Sequence, residues 1–287
     1  MARLALVYSL DDEAGRGAAR RLAEKLGAGE ACSADRAEAC IHYPGLGAVL
    51  AGYRGETVEM EYLDGSLARY RPDAYIVLSR HASTSGKPTL SLHYPGNPGS
   101  EAALGGRPRE LAHTWPRLFS LLARLYHEEA SERRLLDRYS FSLEATHHGP
   151  TGLQKPILFI EIGSTPAEWR DEEAQEAMAA AVAGLLEVLA GQGYDALPRG
   201  CRVVVGVGGT HYPEKHTRLL LEGKACYGHI FAKYVLQQLD EEVLGQAVEK
   251  SADRVEGFVV LKVPGRVRRL VEAFASKKGL EVWRGGL

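Results

Sequence analysis

Residues 157–168 read Ile-Leu-Phe-Ile-Glu-Ile-Gly-Ser-Thr-Pro-Ala-Glu, and they place a strand directly before a helix. The run Ile157–Ile162 is apolar at all but one position, which is typical of a strand buried on both faces of a sheet. Thr165 suits a helix N-cap, Pro166 suits the first helical position, and Glu168 completes a capping box. The stretch therefore predicts a buried strand that leads into a helix, the repeating unit of an α/β fold.

The same alternation continues on both sides of this stretch. Helices are predicted at Glu13–Lys25, Arg117–Glu129, Thr165–Gly191, Asp240–Lys250 and Val267–Lys277. Short β-branched and aromatic runs predict eight strands: Arg3–Tyr8, Thr57–Tyr62, Ala74–Ser79, Thr89–His93, Ser140–Ala145, Ile157–Ile162, Arg202–Val207 and Gly257–Val263. We therefore expect a three-layer αβα sandwich with a mixed, mainly parallel sheet. No linker or repeat interrupts the pattern, so residues 1–287 are expected to form a single domain.

Composition limits the function only broadly. The net charge of −2 gives no overall attraction to nucleic acid, so an RNA-binding surface has to be a local patch. Cys32, Cys40, Cys201 and Cys226 form no Cys-x-x-Cys pair, which indicates free buried thiols in a reduced, intracellular protein. The apolar start is too short for a signal peptide, and no stretch reaches the ~18 apolar residues of a membrane helix. A cytoplasmic protein without membrane contact is expected.

The amide-bearing residues are scarce. The chain has a single asparagine, Asn97, and six glutamines. A shortage of these heat-labile residues is typical of proteins from thermophiles. GC-rich coding produces the same bias, so both origins stay open.

Polar residues follow several predicted strands at the points where the strands end. The candidates are His81, His93, His147, His148 and His211, together with Glu161 near the end of its own strand. Because ligands bind beyond the carboxyl ends of strands in open α/β sheets, we expect these side chains to converge on one pocket. His216 and His229 stay ambiguous, and His216 is close enough in sequence to His211 to reach the pocket.

Imidazoles with a carboxylate and no nearby cysteine are the ligand set of catalytic zinc. Such an ion lowers the pKa of bound water to about 7 and so supplies hydroxide at neutral pH. Glu161 and Glu144 are the candidates for a general base, with His148 as a further catalytic residue. No Gly-x-Ser-x-Gly elbow is present, which argues against a serine hydrolase. The sequence predicts metal-assisted hydrolysis, with four metal ligands: His81, His93, His147 and His211.

Four segments carry a resemblance to a known family: Ser79-Arg-His81, Glu144-Ala-Thr-His-His-Gly-Pro-Thr151, Phe159-Ile-Glu-Ile-Gly-Ser-Thr165 with Glu168-Trp169, and Gly208-Gly-Thr-His-Tyr212. Together they resemble the archaeal and plant type of D-aminoacyl-tRNA deacylase, and the similarity spans residues 3–265 in order. The resemblance implies an αβα fold similar to purine nucleoside phosphorylases, bacterial peptidyl-tRNA hydrolase and zinc carboxypeptidases. It also implies zinc dependence, with two ions per subunit, and hydrolysis of D-aminoacyl-tRNA to free D-amino acid and tRNA.

A tRNA substrate requires positive charge near the site. Arg80 and Lys87 are the expected contacts for the acceptor end of the tRNA. A second basic stretch, with a net charge of +5, covers residues 262–284, although a solvated helix face explains it equally well. A monomer or small homo-oligomer is expected. Three further substrate-binding residues are predicted beside the histidines: Thr146, Thr210 and Tyr212.

Two other functions fit the same residues. A zinc carboxypeptidase-like or amidohydrolase enzyme uses the same ligands on small molecules and needs no RNA-binding patch. A non-enzymatic nucleotide- or RNA-binding module binds without metal and tolerates the loss of His147 or His211. The range of D-amino acids, and the use of aldehyde-modified aminoacyl-tRNA, stay open.

Overall fold

The computed structural model of the protein describes residues 3–84 and 86–287. The strands are β1 (Leu4–Ser9), β2 (Glu30–Ala31), β3 (Ala39–Tyr43), β4 (Ala48–Tyr53), β5 (Ala74–Ala82), β6 (Thr89–His93), β7 (Gly96–Asn97), β8 (Glu110–Leu111), β9 (Ser140–Leu143), β10 (Ile157–Ser164), β11 (Arg202–Val207), β12 (Ala225–Phe231), β13 (Gly257–Val260) and β14 (Glu281–Arg284). The α-helices are α1 (Glu13–Leu26), α2 (Leu63–Ser66), α3 (Pro116–Glu132), α4 (Pro166–Trp169), α5 (Glu172–Gln192), α6 (Glu214–Leu221), α7 (Glu241–Glu249) and α8 (Gly265–Lys278).

The larger sheet has eight strands in the order β2-β3-β4-β1-β5-β10-β6-β9. Its centre is parallel from β4 through β1 and β5 to β10, and each residue of β1 and β10 is buried, as their apolar runs predict. β6 pairs antiparallel with β10 and parallel with β9. The predicted mixed, mainly parallel sheet is confirmed. Because it runs antiparallel to β10, β6 ends opposite Phe159, the third residue of β10.

Helices and loops cover the two faces of this sheet. α1, α3 and α5 pack on one face, where Leu6, Leu22 and Met178 belong to the same buried core. α2 and neighbouring loops cover the other face, where Val7 and Leu63 share a second core. This arrangement follows from β1, whose alternate side chains point to opposite faces and are apolar on both.

A second sheet has four strands in the order β12-β11-β13-β14, and all of them are parallel. α7 and α8 pack on one of its faces through residues such as Val243 and Phe274. The backbone after β9 joins the two sheets, because Ala145 N–H donates to His211 O (2.8 Å) and Thr146 N–H donates to Ile230 O (2.8 Å). The sequence did not predict this second sheet, and the single domain stays a prediction.

Two local predictions are wrong. The β-branched and aromatic run Thr57–Tyr62 predicts a strand, but Thr57–Glu59 forms a 3₁₀ turn that leads into α2. The helix predicted from Thr165 to Gly191 is two helices. Thr165 caps α4 with the predicted capping box, and Asp171 then caps α5 by accepting from two backbone amides. Asp171 is a second N-cap residue inside one continuous helical pattern, so periodicity alone did not reveal the break.

The prediction of free thiols is also wrong. Cys32 pairs with Cys40 and Cys201 pairs with Cys226, with Cα–Cα distances of 5.0 Å and 5.5 Å that suit disulfides. The first pair joins the β2-β3 hairpin, and the second joins the amino ends of β11 and β12. Neither spacing forms a motif, and β12 was not predicted, so no pattern in the sequence indicated that these cysteines lie together.

The long helix α5 is the most apolar one among residues 3–84 and 86–287. With the turn that follows it, Glu172–Ala196 meets the length and composition of a membrane span, which the sequence had not indicated. However, 61% of its most apolar window is buried inside the protein. That burial is the pattern of a core helix, here packed against α1 and α3.

Candidate active site

The junction of the two sheets gathers the polar residues that the sequence singled out. We call this set the His/Glu cluster; it consists of His81, His93, Glu144, His147, His148, Glu161 and His211. β5 carries His81, β6 ends at His93, and His211 follows β11. Since β6 and β9 run against β10, they bring their residues to the middle of β10 instead of beyond its end. Glu161 therefore contacts the other residues of the cluster although it lies inside β10 and not beyond its end.

One carboxylate of the cluster is Glu161, which points from the same face of β10 as Phe159. His93 stacks on Phe159, with ring centroids 5.1 Å apart, and its Nε2 lies 3.6 Å from Glu161 Oε2. His81 Nδ1 lies 3.2 Å from the same oxygen. An added Cβ at Gly163 would lie 2.8 Å from His81 Cβ, so glycine is required for this close approach.

The other carboxylate is Glu144, whose side chain is fully buried. His211 Nε2 lies 2.9 Å from its Oε2, and His147 Nε2 lies 3.7 Å from the same oxygen. His81 Nδ1 lies 3.3 Å from the remaining oxygen, Oε1. His81 therefore bridges the two carboxylates.

His147 and His148 have defined tautomers. His147 Nδ1 lies 2.8 Å from Ala145 O, and His148 Nδ1 lies 2.6 Å from Gly149 O. Because a carbonyl only accepts, each Nδ1 carries the proton and each Nε2 keeps a lone pair. Burial lowers the pKa of both imidazoles well below its ordinary value, so both are neutral. Metal-ligating histidines typically donate their second N–H to a carbonyl in this way.

The carboxylates stay ionised although they are buried. Burial raises the pKa of Glu161, but the hydrogen bond with His81 and the nearby imidazole of His93 outweigh it and lower that pKa to about 2. Glu144 behaves alike, since the hydrogen bond from His211 outweighs burial and gives a pKa of about 2. Burial lowers the pKa of His81, but Glu161 and Glu144 raise it to about 9. Two buried anions thus require positive charge beside them.

The donor atoms fit a divalent metal. Three overlapping groups each place one ligand atom per residue within 4.8 Å of the others: His81, Glu144, His147 and His211; His93, His147 and His148; His93, Glu144 and Glu161. Both ring nitrogens of His93 and Oε1 of Glu144 are buried and make no hydrogen bond. Buried polar atoms rarely lack a partner. Imidazole and carboxylate donors without thiolate are the ligands of catalytic zinc.

Ligands can reach the cluster. A cleft of about 560 Å³ opens onto His81, His147, Glu161 and His211. A second cavity, of about 420 Å³, adjoins it at His147 and His148. Both volumes lie in the range of small-molecule sites, about 300–1,000 Å³.

A family model described as D-aminoacyl-tRNA deacylase matches residues 68–283, which contain every residue of the His/Glu cluster. The chain belongs to the D-aminoacyl-tRNA deacylase family. A relative named D-aminoacyl-tRNA deacylase from Hyperthermus butylicus is 45% identical over 280 residues, covering 97% of this chain and 99% of that protein. One of the same name from Aeropyrum pernix is 40% identical over 288 residues, covering 98% and 99%. The resemblance seen in the sequence is confirmed.

Solved structures support the fold of this family member. The crystal structure of a conserved protein of unknown function superposes with a TM-score of 0.87 at 28% identity, covering 99% of this chain and 95% of the other. A purine nucleoside phosphorylase from Toxoplasma gondii reaches a TM-score of only 0.44 over 67% of this chain. The likeness to phosphorylases therefore stays a prediction.

Among the predicted substrate-binding residues of this deacylase-family chain, Arg80 lines the cleft, whereas Tyr212 and Lys87 line a separate groove. Tyr212 Oη lies 2.7 Å from His81 Nε2, at the edge of the cluster. Arg80 lines the cleft, but its guanidinium already contacts Glu56 at 3.1 Å and lies over the Trp169 ring. Lys87 is exposed beside a groove of about 880 Å³ that also reaches Tyr212.

The two predicted threonines have other partners. The Thr210 hydroxyl donates to Tyr212 O at 2.7 Å and so shapes the turn behind His211. Thr146 is buried, and its hydroxyl lies 2.9 Å from His229 Nδ1 and accepts from Ile230 N–H. Substrate contacts from these hydroxyls stay predictions.

Sequence reasoning missed Tyr234 and left His216 and His229 undecided. Tyr234 is 55% exposed, and its Oη lies 3.4 Å from His211 Nδ1. The run Ala225–Phe231 before it is apolar and aromatic, and reading it as a strand would have placed Tyr234 at a strand end. His216 lies on α6 and His229 lies inside β12, and both are fully buried outside the cluster.

Proposed function

We propose that the protein is a zinc-dependent hydrolase that cleaves the ester of D-aminoacyl-tRNA and releases free D-amino acid and tRNA. The observation that carries the proposal is the His/Glu cluster, in which His81, His147, His148, Glu161 and His211 line an open cleft and the buried donor atoms of His93 and Glu144 without hydrogen bonds lie directly behind them. Membership of the D-aminoacyl-tRNA deacylase family supports the choice of substrate. Such a substrate is met in the cytoplasm, and a monomer or small homo-oligomer suffices for the reaction.

The cluster has donors for two ions. His81, Glu144, His147 and His211 would hold one, and His93 with Glu161 would hold the other, with His148 nearby. Zinc, when bound, supplies a Lewis acid and lowers the pKa of bound water. Three protein ligands suffice for a catalytic zinc, and His81, His147 and His211 would provide them, so Glu144 or Glu161 can stay free of metal and take the proton of the attacking water as general base.

The remaining residues orient the substrate. An aminoacyl ester is already activated, so modest stabilisation of the developing oxyanion suffices. The Tyr212 hydroxyl at His81 and the neutral imidazole of His148 are the groups at the cluster that can hold or move a proton. Selection of D over L substrates requires a wall against one side-chain direction. The 420 Å³ cavity beside His148, lined by Gly96, Leu104 and Tyr234, offers such a wall.

Metal analysis and hydrolysis of D- and L-tyrosyl-tRNA by the purified protein test the proposal. We expect bound zinc, hydrolysis of the D substrate only, loss of activity on chelation and recovery with added zinc. Metal-free protein with full activity contradicts the zinc dependence. Equal hydrolysis of a small D-tyrosyl ester and of D-tyrosyl-tRNA instead favours a small-molecule hydrolase.

A further inference from the structure

The four-stranded sheet is parallel throughout, so the carboxyl ends of its strands share one edge. His211 follows β11 at this edge and reaches the cluster through Glu144. Lys233 and Tyr234 follow β12, and Lys262 and Arg266 follow β13. The edge that supplies one residue to the cluster therefore also carries three cations and a tyrosine.

Direct contacts hold these segments side by side. Lys233 N–H donates to Gly209 O at 3.0 Å, in the turn before His211. The Arg266 guanidinium donates to Gln237 O at 3.1 Å, just beyond Tyr234. The segment after β13 packs on the same turn, since an added Cβ at Gly208 would lie 3.0 Å from Val263. The cations thus border the site in space as well as in topology.

The basic stretch seen in the sequence divides into two parts. Lys277 pairs with Glu241 at 2.9 Å, Lys278 pairs with Glu249 at 3.0 Å, and Arg284 pairs with Glu272. Arg268 and Arg269, further along α8, are exposed and have no ion-pair partner among residues 3–84 and 86–287. The same holds for Lys233, Lys262 and Arg266, which lie closer to the ends of β12 and β13. We call these three residues the basic edge. The uncompensated positive charge thus lies at the end that borders the site.

Tyr234 adds an aromatic face to this edge. It is one of three large hydrophobic residues exposed in the described part of the chain, and its ring centroid lies 6.4 Å from that of His211. It also lines the 420 Å³ cavity with His147 and His148. A nucleobase of any identity stacks on such a face. The ester that is cleaved sits on the terminal ribose, so the terminal base lies within one nucleotide of the reacting atoms.

We propose that the 3′ end of the tRNA docks on this edge, with its terminal base on Tyr234 and its phosphates on the basic edge. This inference rests on the proposed function and names the surface that selects a nucleic-acid substrate. It assigns no role to the paired cations Lys277, Lys278 and Arg284.

Binding of uncharged tRNA tests the basic edge without any hydrolysis. A variant with Lys233, Lys262 and Arg266 replaced by alanine should flatten the log–log salt dependence of binding by about 2 to 3, since each phosphate contact contributes about 0.7–0.9. The matched control replaces Lys277, Lys278 and Arg284 by alanine and loses the same charge. The control should keep the wild-type slope. Equal slopes in the two triple variants would overturn the proposal.

Hydrolysis of D-tyrosyl-tRNA tests the aromatic platform. Tyr234→Ala should raise KM about 5- to 150-fold, the span that stacking of one base provides, with little change in kcat. Tyr234→Phe keeps the ring, loses the hydroxyl at His211 and should restore the wild-type KM. An unchanged KM in Tyr234→Ala contradicts the platform. So does a Tyr234→Phe variant that matches Tyr234→Ala, because Tyr234 would then act only by positioning His211.

The same experiments separate this inference from the proposed function. If wild-type protein binds tRNA through the basic edge but hydrolyses no aminoacyl-tRNA, the proposed activity is wrong and the proposed docking surface stands. If wild-type protein hydrolyses D-tyrosyl-tRNA but the two triple variants show the same salt dependence of tRNA binding, the proposed docking surface is wrong and the proposed activity stands.

Discussion

Two sets of buried histidines differ in what surrounds them. His229 uses both ring nitrogens on neutral partners, Thr146 Oγ1 at 2.9 Å and Ala112 O at 3.0 Å. His216 Nδ1 lies 2.8 Å from the Tyr227 hydroxyl, and its Nε2 makes no hydrogen bond but faces no carboxylate within the described part of the chain. Burial lowers the pKa of His216 to about 4 and that of His229 to about 3. These two imidazoles need no charge beside them.

The histidines of the His/Glu cluster pack instead around two buried carboxylates, Glu144 and Glu161. A buried imidazole with neutral partners completes a core. A group of buried imidazoles around two buried carboxylates is suited to holding a cation. The difference supports the proposed metal binding by the His/Glu cluster and a structural role for His216 and His229.

The largest effect is expected from His147→Ala. The variant should lose bound zinc, and hydrolysis of D-tyrosyl-tRNA should fall by more than the about 10⁴-fold that a lost general base costs at most. His216→Ala removes one buried imidazole from the other set and should keep the zinc content of the folded protein. Metal analysis and single-turnover hydrolysis on both variants check this. Equal zinc loss in the two would erase the distinction between the sets.

Glu161→Gln sharpens the role of the carboxylates. If Glu161 is the general base, the Glu161→Gln variant should keep its zinc while the rate of D-tyrosyl-tRNA hydrolysis falls about 10²–10⁴-fold. If Glu161 is a metal ligand, the Glu161→Gln variant should also lose its zinc, as the His147→Ala variant should. Zinc content and single-turnover rate, measured on the same preparation, decide between the two roles. Full activity with full zinc rejects both and leaves Glu144 as the carboxylate to test.

A matched pair of tyrosines offers the next contrast, because each places a hydroxyl against an imidazole. Tyr212→Phe removes the contact with His81, and we expect kcat/KM to fall about 10–100-fold, as when the partner of a metal ligand is lost. Tyr227→Phe removes the contact with His216 and should cost about 0.5–1.5 kcal/mol of unfolding free energy with activity intact. Denaturant titration and steady-state kinetics measure both. Loss of activity in Tyr227→Phe with intact activity in Tyr212→Phe would contradict the distinction between the two sets of histidines.

The smallest effect concerns pH. His229 has a pKa of about 3 in the folded protein against 6.5 for the free side chain, so below pH 6.5 the unfolded chain binds a proton that the folded chain does not. Its contribution to stability is therefore lost as the pH falls from 6.5, at about 1.4 kcal/mol per pH unit. The His229→Gln variant should lose this contribution, so its free energy of unfolding should depend less on pH between 6.5 and 5, by about 1.4 kcal/mol per pH unit. Denaturant titration across this range measures it, and parallel curves for the two proteins would contradict the assignment.

The sequence predicted those elements correctly whose structure depends mainly on their own residues. The bounds of β6 and β11 coincide with the predicted runs, and the capping box at Thr165 forms as predicted. The direction of β6 was not predictable, because strand pairing depends on residues far apart in the chain. For the same reason the sequence could name His93 and Glu161 but could not predict that β6 pairs antiparallel with β10 and brings His93 opposite Phe159, next to Glu161. Tyr234 was missed because β12 was not recognised as a strand.

The disulfide between Cys201 and Cys226 closes a covalent ring around β11, the His211 turn and α6. A ring of that length removes conformational freedom from the unfolded chain worth about 3.5 kcal/mol at 25 °C on the chain-entropy model. Archaeal and thermophilic relatives match this chain, and hyperthermophiles are an exception to the rarity of intracellular disulfides. The bond lies at the amino ends of the strands, opposite to the edge that carries His211. A reducing agent should therefore lower the temperature that the enzyme tolerates before it alters the chemistry of the site.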